Sequence, residues 1–257
     1  MRPTGFTAVM AGRRSATAAA PAQEQARLFD ADARINPTDA LDFFPTPPWA
    51  TRALLHYVIP NGARGLMRMR CWEPAAGEGH MAEVLKEFFA AVHGSDVHDH
   101  GYGETGSFVG AGDADAPALP LDDLSRCPFP PDWIITNPPF SLAGAFARRA
   151  LAEAGEGVAL LLRTAWLESG ERFRLFMDHQ PWCCATFAER VPMVEGRWDP
   201  EARSATCYSW FVWLKTHGRF APARGPYPVF QQAIIPPVCR ETLTLDSDIA
   251  RFAGAAP

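Results

Sequence analysis

Between residues 67 and 214 short apolar runs alternate with segments of helical periodicity, and this alternation constrains the fold more than any other feature of the chain. Runs at 67–72, 90–94, 158–162, Trp133–Thr136, Cys183–Phe187 and Tyr208–Leu214 have strand length and strand composition. Helical patterns at 80–91, 142–154 and 171–177 separate them. A further helix is expected over 46–58, where Thr46 can cap and Pro47 and Pro48 fit a first turn whose N–H groups lack intrahelical partners. Strand, helix, strand repetition specifies an α/β fold with a mostly parallel sheet. The last two strands have no long helix between them, so an antiparallel pair is expected at the sheet edge.

The 257 residues suffice for one sizeable domain. Residues 1–40 read as a flexible leader, Ala-rich and without an acid before Glu24; 41–217 as the folded domain; and 218–257 as a Pro-rich extension, of which 218–237 is expected to run irregularly over the surface. The six cysteines show no C-x-x-C pair and no zinc spacing, which fits reduced thiols in a cytoplasmic protein. No run approaches the roughly 18 apolar residues of a membrane span.

A net charge of −5 argues at first against a nucleic-acid binder. By segment the balance differs. Residues 73–133 hold 12 acids and two bases, Lys86 and Arg126, for a net of −10, whereas 141–225 hold 11 bases and 9 acids, a net of +2. The bases of the second segment are nearly all arginine, the residue suited to bidentate phosphate and base contacts.

Ligands of parallel α/β sheets bind outside the carboxyl ends of the strands, where two motifs fall. The first is the turn Glu73-Pro74-Ala75-Ala76-Gly77-Glu78-Gly79, whose glycines let the backbone bend sharply and approach a ligand. It fits the loose dinucleotide fingerprint, with Asp96 placed as a ribose-binding acid. Its two flanking carboxylates would repel a pyrophosphate and would attract a cationic, phosphate-free cofactor such as S-adenosylmethionine.

The second motif, Asn137-Pro138-Pro139-Phe140, directly follows the strand Trp133–Thr136. An exocyclic amine on an aromatic ring, or an amide nitrogen, is a poor nucleophile because its lone pair is delocalised. Two acceptors, the side-chain oxygen of Asn137 and the carbonyl of Pro138, can hold its N–H groups and turn the lone pair toward a methyl donor. Pro139 stiffens the loop that carries them. Phe140 offers a face to a planar substrate. The work is placement and electrostatic stabilisation, with no metal required.

These segments resemble known families. The turn 73–79 resembles the methyl-donor motif of class I methyltransferases, and Asn137-Pro138-Pro139-Phe140 resembles the catalytic motif of DNA adenine-N6 methyltransferases. Phe44-Pro45-Thr46-Pro47-Pro48-Trp49 resembles the small cofactor motif preceding the Gly turn in such enzymes. The chain is most similar to compact phage and prophage-type adenine methyltransferases, which also show a Leu-Leu-Arg segment, here ending at Arg163, and an aromatic last strand, here Trp210-Phe211-Val212-Trp213. The resemblance implies a Rossmann-like class I methyltransferase fold with a mostly parallel seven-stranded sheet and an antiparallel edge strand. It places Pro45 and Thr46 at the amino-acid end of S-adenosylmethionine, Glu73, Pro74, Ala75, Gly77 and Gly79 around its methionine and ribose, Asp96 on the ribose hydroxyls and Asp113 on the adenine amine. Asp99 and Asp115 compete for the last two roles.

No separate target-recognition domain is evident, so specificity falls to the loop 189–209 with Arg190, Arg197, Trp198 and Arg203, suited to phosphate contacts and to the gap left by a flipped base. Methyl transfer to a protein glutamine amide or to guanine N2 of RNA uses a similar Asn-Pro-Pro-aromatic element. A noncatalytic binding module and a nicotinamide oxidoreductase are the rivals from other classes.

Overall fold

The strand Gly157–Arg163 belongs in the middle of a sheet because six of its seven residues are buried, leaving neither face for water. The computed structural model describes residues 43–60, 65–110, 126–216 and 218–253. The elements in chain order are α1 (Pro48–Ala53, continued by a π-type turn Leu54–Val58), β1 (Arg70–Glu73), α2 (His80–Leu85), β2 (Ala91–Asp96), β3 (Glu104–Thr105), β4 (Trp133–Thr136), α3 (Ala143–Glu153), β5 (Gly157–Arg163), α4 (Gly170–Asp178), β6 (Cys183–Phe187), β7 (Tyr208–Leu214), β8 (Gln231–Ile235), α5 (Cys239–Leu243) and α6 (Asp246–Phe252). The eight strands run in the order β3-β2-β1-β4-β5-β7-β6-β8.

Alternation along the strands divides the core into two layers. Ile135, Ala159, Leu161, Trp210 and Val212 face one way, against Trp49, Leu54, Met81 and Leu85 of α1 and α2 and the turn after α1. Ile134, Val158, Leu160, Leu162, Phe211 and Trp213 face the other, against Phe146 of α3 and Leu175 and Phe176 of α4. Helices therefore cover both faces of a largely parallel sheet, the Rossmann-like arrangement expected from the sequence.

Three features differ from that expectation. The antiparallel strand is not at the edge: β7 lies between β5 and β6 and pairs antiparallel with both. Its sequence explains this, since six of its seven residues are buried and an edge position would have left them wet. Among the described residues there are eight strands, because Gln231–Ile235 joins β6 in parallel. And Thr46 does not cap α1: the helix begins at Pro48, so its N-cap is Pro47, which has no side-chain acceptor.

The segment after 218 is bound into this framework. Arg52 of α1, only 4% exposed, donates to both carboxylate oxygens of Asp248, to both oxygens of Glu87 and to the carbonyl of Leu243. Asp248, itself buried, also accepts the Leu245 N–H at 2.8 Å. A buried guanidinium with this many acceptors is held charged, and its pKa lies above the usual value despite the opposing effect of burial. At the far end of α6, Phe252 stacks on His80 at 4.2 Å, and Arg251 pairs with Glu83.

Candidate active site

Strands β1 and β4 lie side by side and parallel, Cys71 beside Trp133 and Trp72 beside Ile134. Strand order reverses there, with β2 beyond β1 and β5 beyond β4, so a crevice opens at their carboxyl ends. The Gly turn leaves β1 into this crevice and the Asn-Pro-Pro-Phe loop leaves β4 into it.

Gly77 has φ 51° and Gly79 φ 85°, in the left-handed region open to glycine. The Gly77 N–H donates to Asp96 Oδ2 at 2.9 Å, so the end of β2 holds the turn in shape. Aromatic rings close on both glycines: a Cβ on Gly77 would lie 2.3 Å from the Phe43 ring, and one on Gly79 2.5 Å from the Tyr102 ring. Tyr102 is fixed by its hydroxyl, which donates to Glu83 Oε1 at 2.8 Å.

Glu73 ends β1 and is only 2% exposed, and its Oε2 has no hydrogen-bond partner among the described residues. Burial, with the nearby Asp96 carboxylate adding to it, holds the Glu73 carboxyl well above the usual carboxylate range; a backbone hydrogen bond with Ala82 opposes this. A buried acid with one unused oxygen beside a tight turn fits a ligand that carries positive charge.

Across the crevice, the Asn137 amide has a fixed orientation. Its Nδ2 donates to the Phe44 carbonyl at 2.9 Å and approaches Met193 Sδ at 3.7 Å, while its buried Oδ1 accepts from nothing among the described residues. Only the nitrogen can donate to a carbonyl, so the free group is the acceptor. Pro138 is buried and Pro139 half-buried. The Phe140 ring lies 5.6 Å from Phe44 and 6.1 Å from Tyr208, and the Arg163 guanidinium sits over it at 4.3 Å. Together these form an aromatic wall beside the unused Asn137 oxygen.

The structure thus brings Asn137, Phe140 and Arg163 together on one side, Glu73, Gly77, Gly79 and Asp96 on the other, and the buried Pro45 and Thr46 next to Phe44 in the chain. Pro74 is buried and Ala75 half-buried within the turn. Asp96 meets the Gly turn, whereas Asp99 accepts only from its own loop, the Gly101 N–H. Asp113 and Asp115 lie outside the described residues.

The loop 189–209 reaches the crevice, since Met193 touches Asn137 and the Gly196 N–H donates to the Phe43 carbonyl at 2.9 Å. Its side chains divide. Arg190 and Arg203 are exposed, Arg190 contacting Cys207 Sγ. Arg197 is exposed and pairs with Asp199 at 3.5 Å. Trp198 departs from the sequence expectation: it is only 3% exposed, so its ring packs the loop and does not face a substrate.

Sequence reasoning missed Phe43, Tyr102, Met193 and Tyr208. Tyr102 and Met193 sit in irregular segments with no local signal, and Tyr208 reads only as the first residue of an apolar strand. Phe43 could have been found, because it adjoins a recognised motif.

No family profile matches the chain, nor does any curated protein. Solved structures do resemble it. A Listeria monocytogenes protein provisionally assigned as a class I S-adenosylmethionine-dependent methyltransferase matches with TM-score 0.47 and 15% identity, over 89% of this chain and 74% of the other. The M protein of the type I restriction enzyme EcoKI matches with TM-score 0.47 and 14% identity, over 72% of this chain and 46% of its own. A type I restriction-modification methyltransferase subunit from Streptococcus thermophilus gives 0.42 and 10%, over 79% and 51%. The chain spans about half the length of these two subunits. The strand order by itself defines a Rossmann-like α/β fold, and at such scores these likenesses add nothing to it.

Proposed function

We propose that the protein transfers a methyl group from S-adenosylmethionine to the N6 amine of an adenine flipped out of DNA. The observation that carries this reading is the Asn137 amide: its nitrogen is tied to the Phe44 carbonyl, its oxygen is buried and unused, and an aromatic wall stands beside it. S-adenosylmethionine supplies an electrophilic methyl on a sulfonium. Glu73 offers that cation a buried carboxylate, and Asp96 fixes the Gly turn beside it through the Gly77 N–H.

The planar base stacks on Phe140, which orients its amine toward Asn137. The Asn137 oxygen and the Pro138 carbonyl accept the two N–H groups, so the nitrogen lone pair points along the path of transfer. As the C–N bond forms the carbon–sulfur bond breaks, the nitrogen becomes cationic, and both acceptors stabilise the developing charge. The extra proton then leaves to water. No side chain with a pKa near neutrality is needed for these steps.

Duplex DNA is incubated with the protein and isotopically methyl-labelled cofactor, with the protein and bulk RNA as competing acceptors. The reading predicts label in DNA, reduced at least about a hundredfold by Asn137→Ala. Label confined to protein or RNA contradicts the assignment of DNA.

A further inference from the structure

Beyond the end of β6 a cavity of about 300 Å³ is lined by Glu189, Arg190, Ala202, Arg203, Ser204 and Arg240. Three guanidiniums face one carboxylate there. That carboxylate is engaged, since Glu189 Oε1 accepts the backbone N–H of Arg240 at 3.1 Å. Arg240 comes from α5, far along the chain, and its side chain donates to the Ala202 carbonyl at 3.2 Å, which holds it against the loop. Arg190 is anchored on Cys207. Arg203 has no hydrogen bond or ion pair among the described residues.

The position relates this cavity to the catalytic crevice. Cys207, which Arg190 touches, accepts the Thr164 N–H at 2.9 Å and precedes Tyr208, which pairs with Arg163 and lies beside Phe140. From the end of β4 to the end of β6 there are three strand spacings, about 14 Å. That is the reach of a backbone phosphate flanking a base held against Phe140. Arginines clustered around a concave surface, with fixed forks and surplus positive charge, match a phosphodiester oxygen pair.

We infer that this cavity receives a backbone phosphodiester of the nucleic-acid substrate, with Arg203 and Arg240 as its contacts. The inference rests on the proposed function but concerns binding alone. It makes the segment after 218 part of the substrate surface, because Arg240 belongs to it.

Binding of a fluorescent duplex to the full chain is measured by anisotropy from 50 to 200 mM salt, in parallel with a single-stranded RNA of the same length. Each phosphate contact contributes about 0.9 to the slope of log affinity against log salt, about a 3.5-fold change in affinity over this range. Arg203→Ala and Arg240→Ala should each lower the slope by about that amount, Arg240→Lys should keep it, and Lys86→Ala, on the far acidic segment, should leave it unchanged. Melting temperatures identify variants that lose binding through unfolding, and Arg203→Ala, whose side chain has no partner to lose, decides the matter if Arg240→Ala does not fold.

Slopes unaltered by Arg203→Ala, or no salt-dependent binding of either nucleic acid, would overturn the inference. The same dependence seen with RNA alone keeps the phosphodiester site and changes its source. Arginine-dependent slopes without methyl transfer to DNA would refute the proposed function while leaving the cavity assignment standing.

Discussion

In the proposed reaction Asn137 carries the chemistry, because its two amide ends have different fates. The nitrogen is occupied by Phe44 and Met193, and the oxygen is left to accept. Asn137→Asp keeps the shape but removes the donor to the Phe44 carbonyl and adds a charge; methyl transfer should fall as far as in Asn137→Ala, with cofactor affinity nearly unchanged by calorimetry. In the same proposal Glu73 acts on the other side. Ionising this buried acid is unfavourable without a cation, so affinity for S-adenosylmethionine should rise with pH through the carboxyl's raised pKa. Glu73→Gln should abolish that pH dependence and weaken cofactor binding at least about tenfold, since the charge-assisted contact is lost. His80 gives a stability prediction. Burial pushes its pKa down to about 4, and neither ring nitrogen has a partner among the described residues. The folded-state pKa lies below the unfolded value near 6.5, so the unfolded chain takes the proton first and stability falls as pH drops from about 6.5 toward 4. Denaturant melts should show a loss of up to about 3 kcal/mol over that window, largely absent in His80→Leu.

At the scale of elements, α6 braces the helices beside the Gly turn. Its Asp248 neutralises Arg52 under α1, and its Phe252 covers His80 at the start of α2. Removing one partner of a buried ion pair costs about 3 kcal/mol, because a desolvated charge remains. Asp248→Ala should therefore lower stability by about that amount in equilibrium unfolding; an effect under about 0.5 kcal/mol would show that Glu87 suffices to hold Arg52. The Gly turn is a second element with no slack. Gly77→Ala places a Cβ in a left-handed residue and against the Phe43 ring, which should cost about 1–2 kcal/mol and displace the aromatic cover of the turn.

Across the whole molecule, what was legible in the sequence was local. The Asn-Pro-Pro-Phe loop, the Gly turn and the strands Trp133–Thr136, Cys183–Phe187 and Tyr208–Leu214 are written in neighbouring residues and stand where expected. What was not legible depends on distant pairing. The insertion of β7 between β5 and β6, and of Gln231–Ile235 beside β6, follows from which buried faces meet, and no local period records that. Trp198 looked like a surface aromatic in an arginine-rich loop, yet its burial is decided by the elements beneath it. Arg240 joins the loop arginines from a helix beyond residue 237, in an extension that the sequence marks only as Pro-rich. The charge asymmetry acquires a layout. Glu73 and Asp96 of the acidic stretch meet at the Gly turn, while Arg163, Arg190 and Arg203 of the basic stretch gather at the ends of β5 and β6.

The central claim is the identity of the methylated atom. Unmethylated duplex DNA is incubated with the protein and S-adenosylmethionine, digested to nucleosides and analysed by mass. The account predicts N6-methyladenosine in its deoxy form with the unaltered protein and none with Asn137→Ala. Methylcytosine, or no modified nucleoside while a glutamine amide or an RNA guanine gains the methyl group, would contradict it.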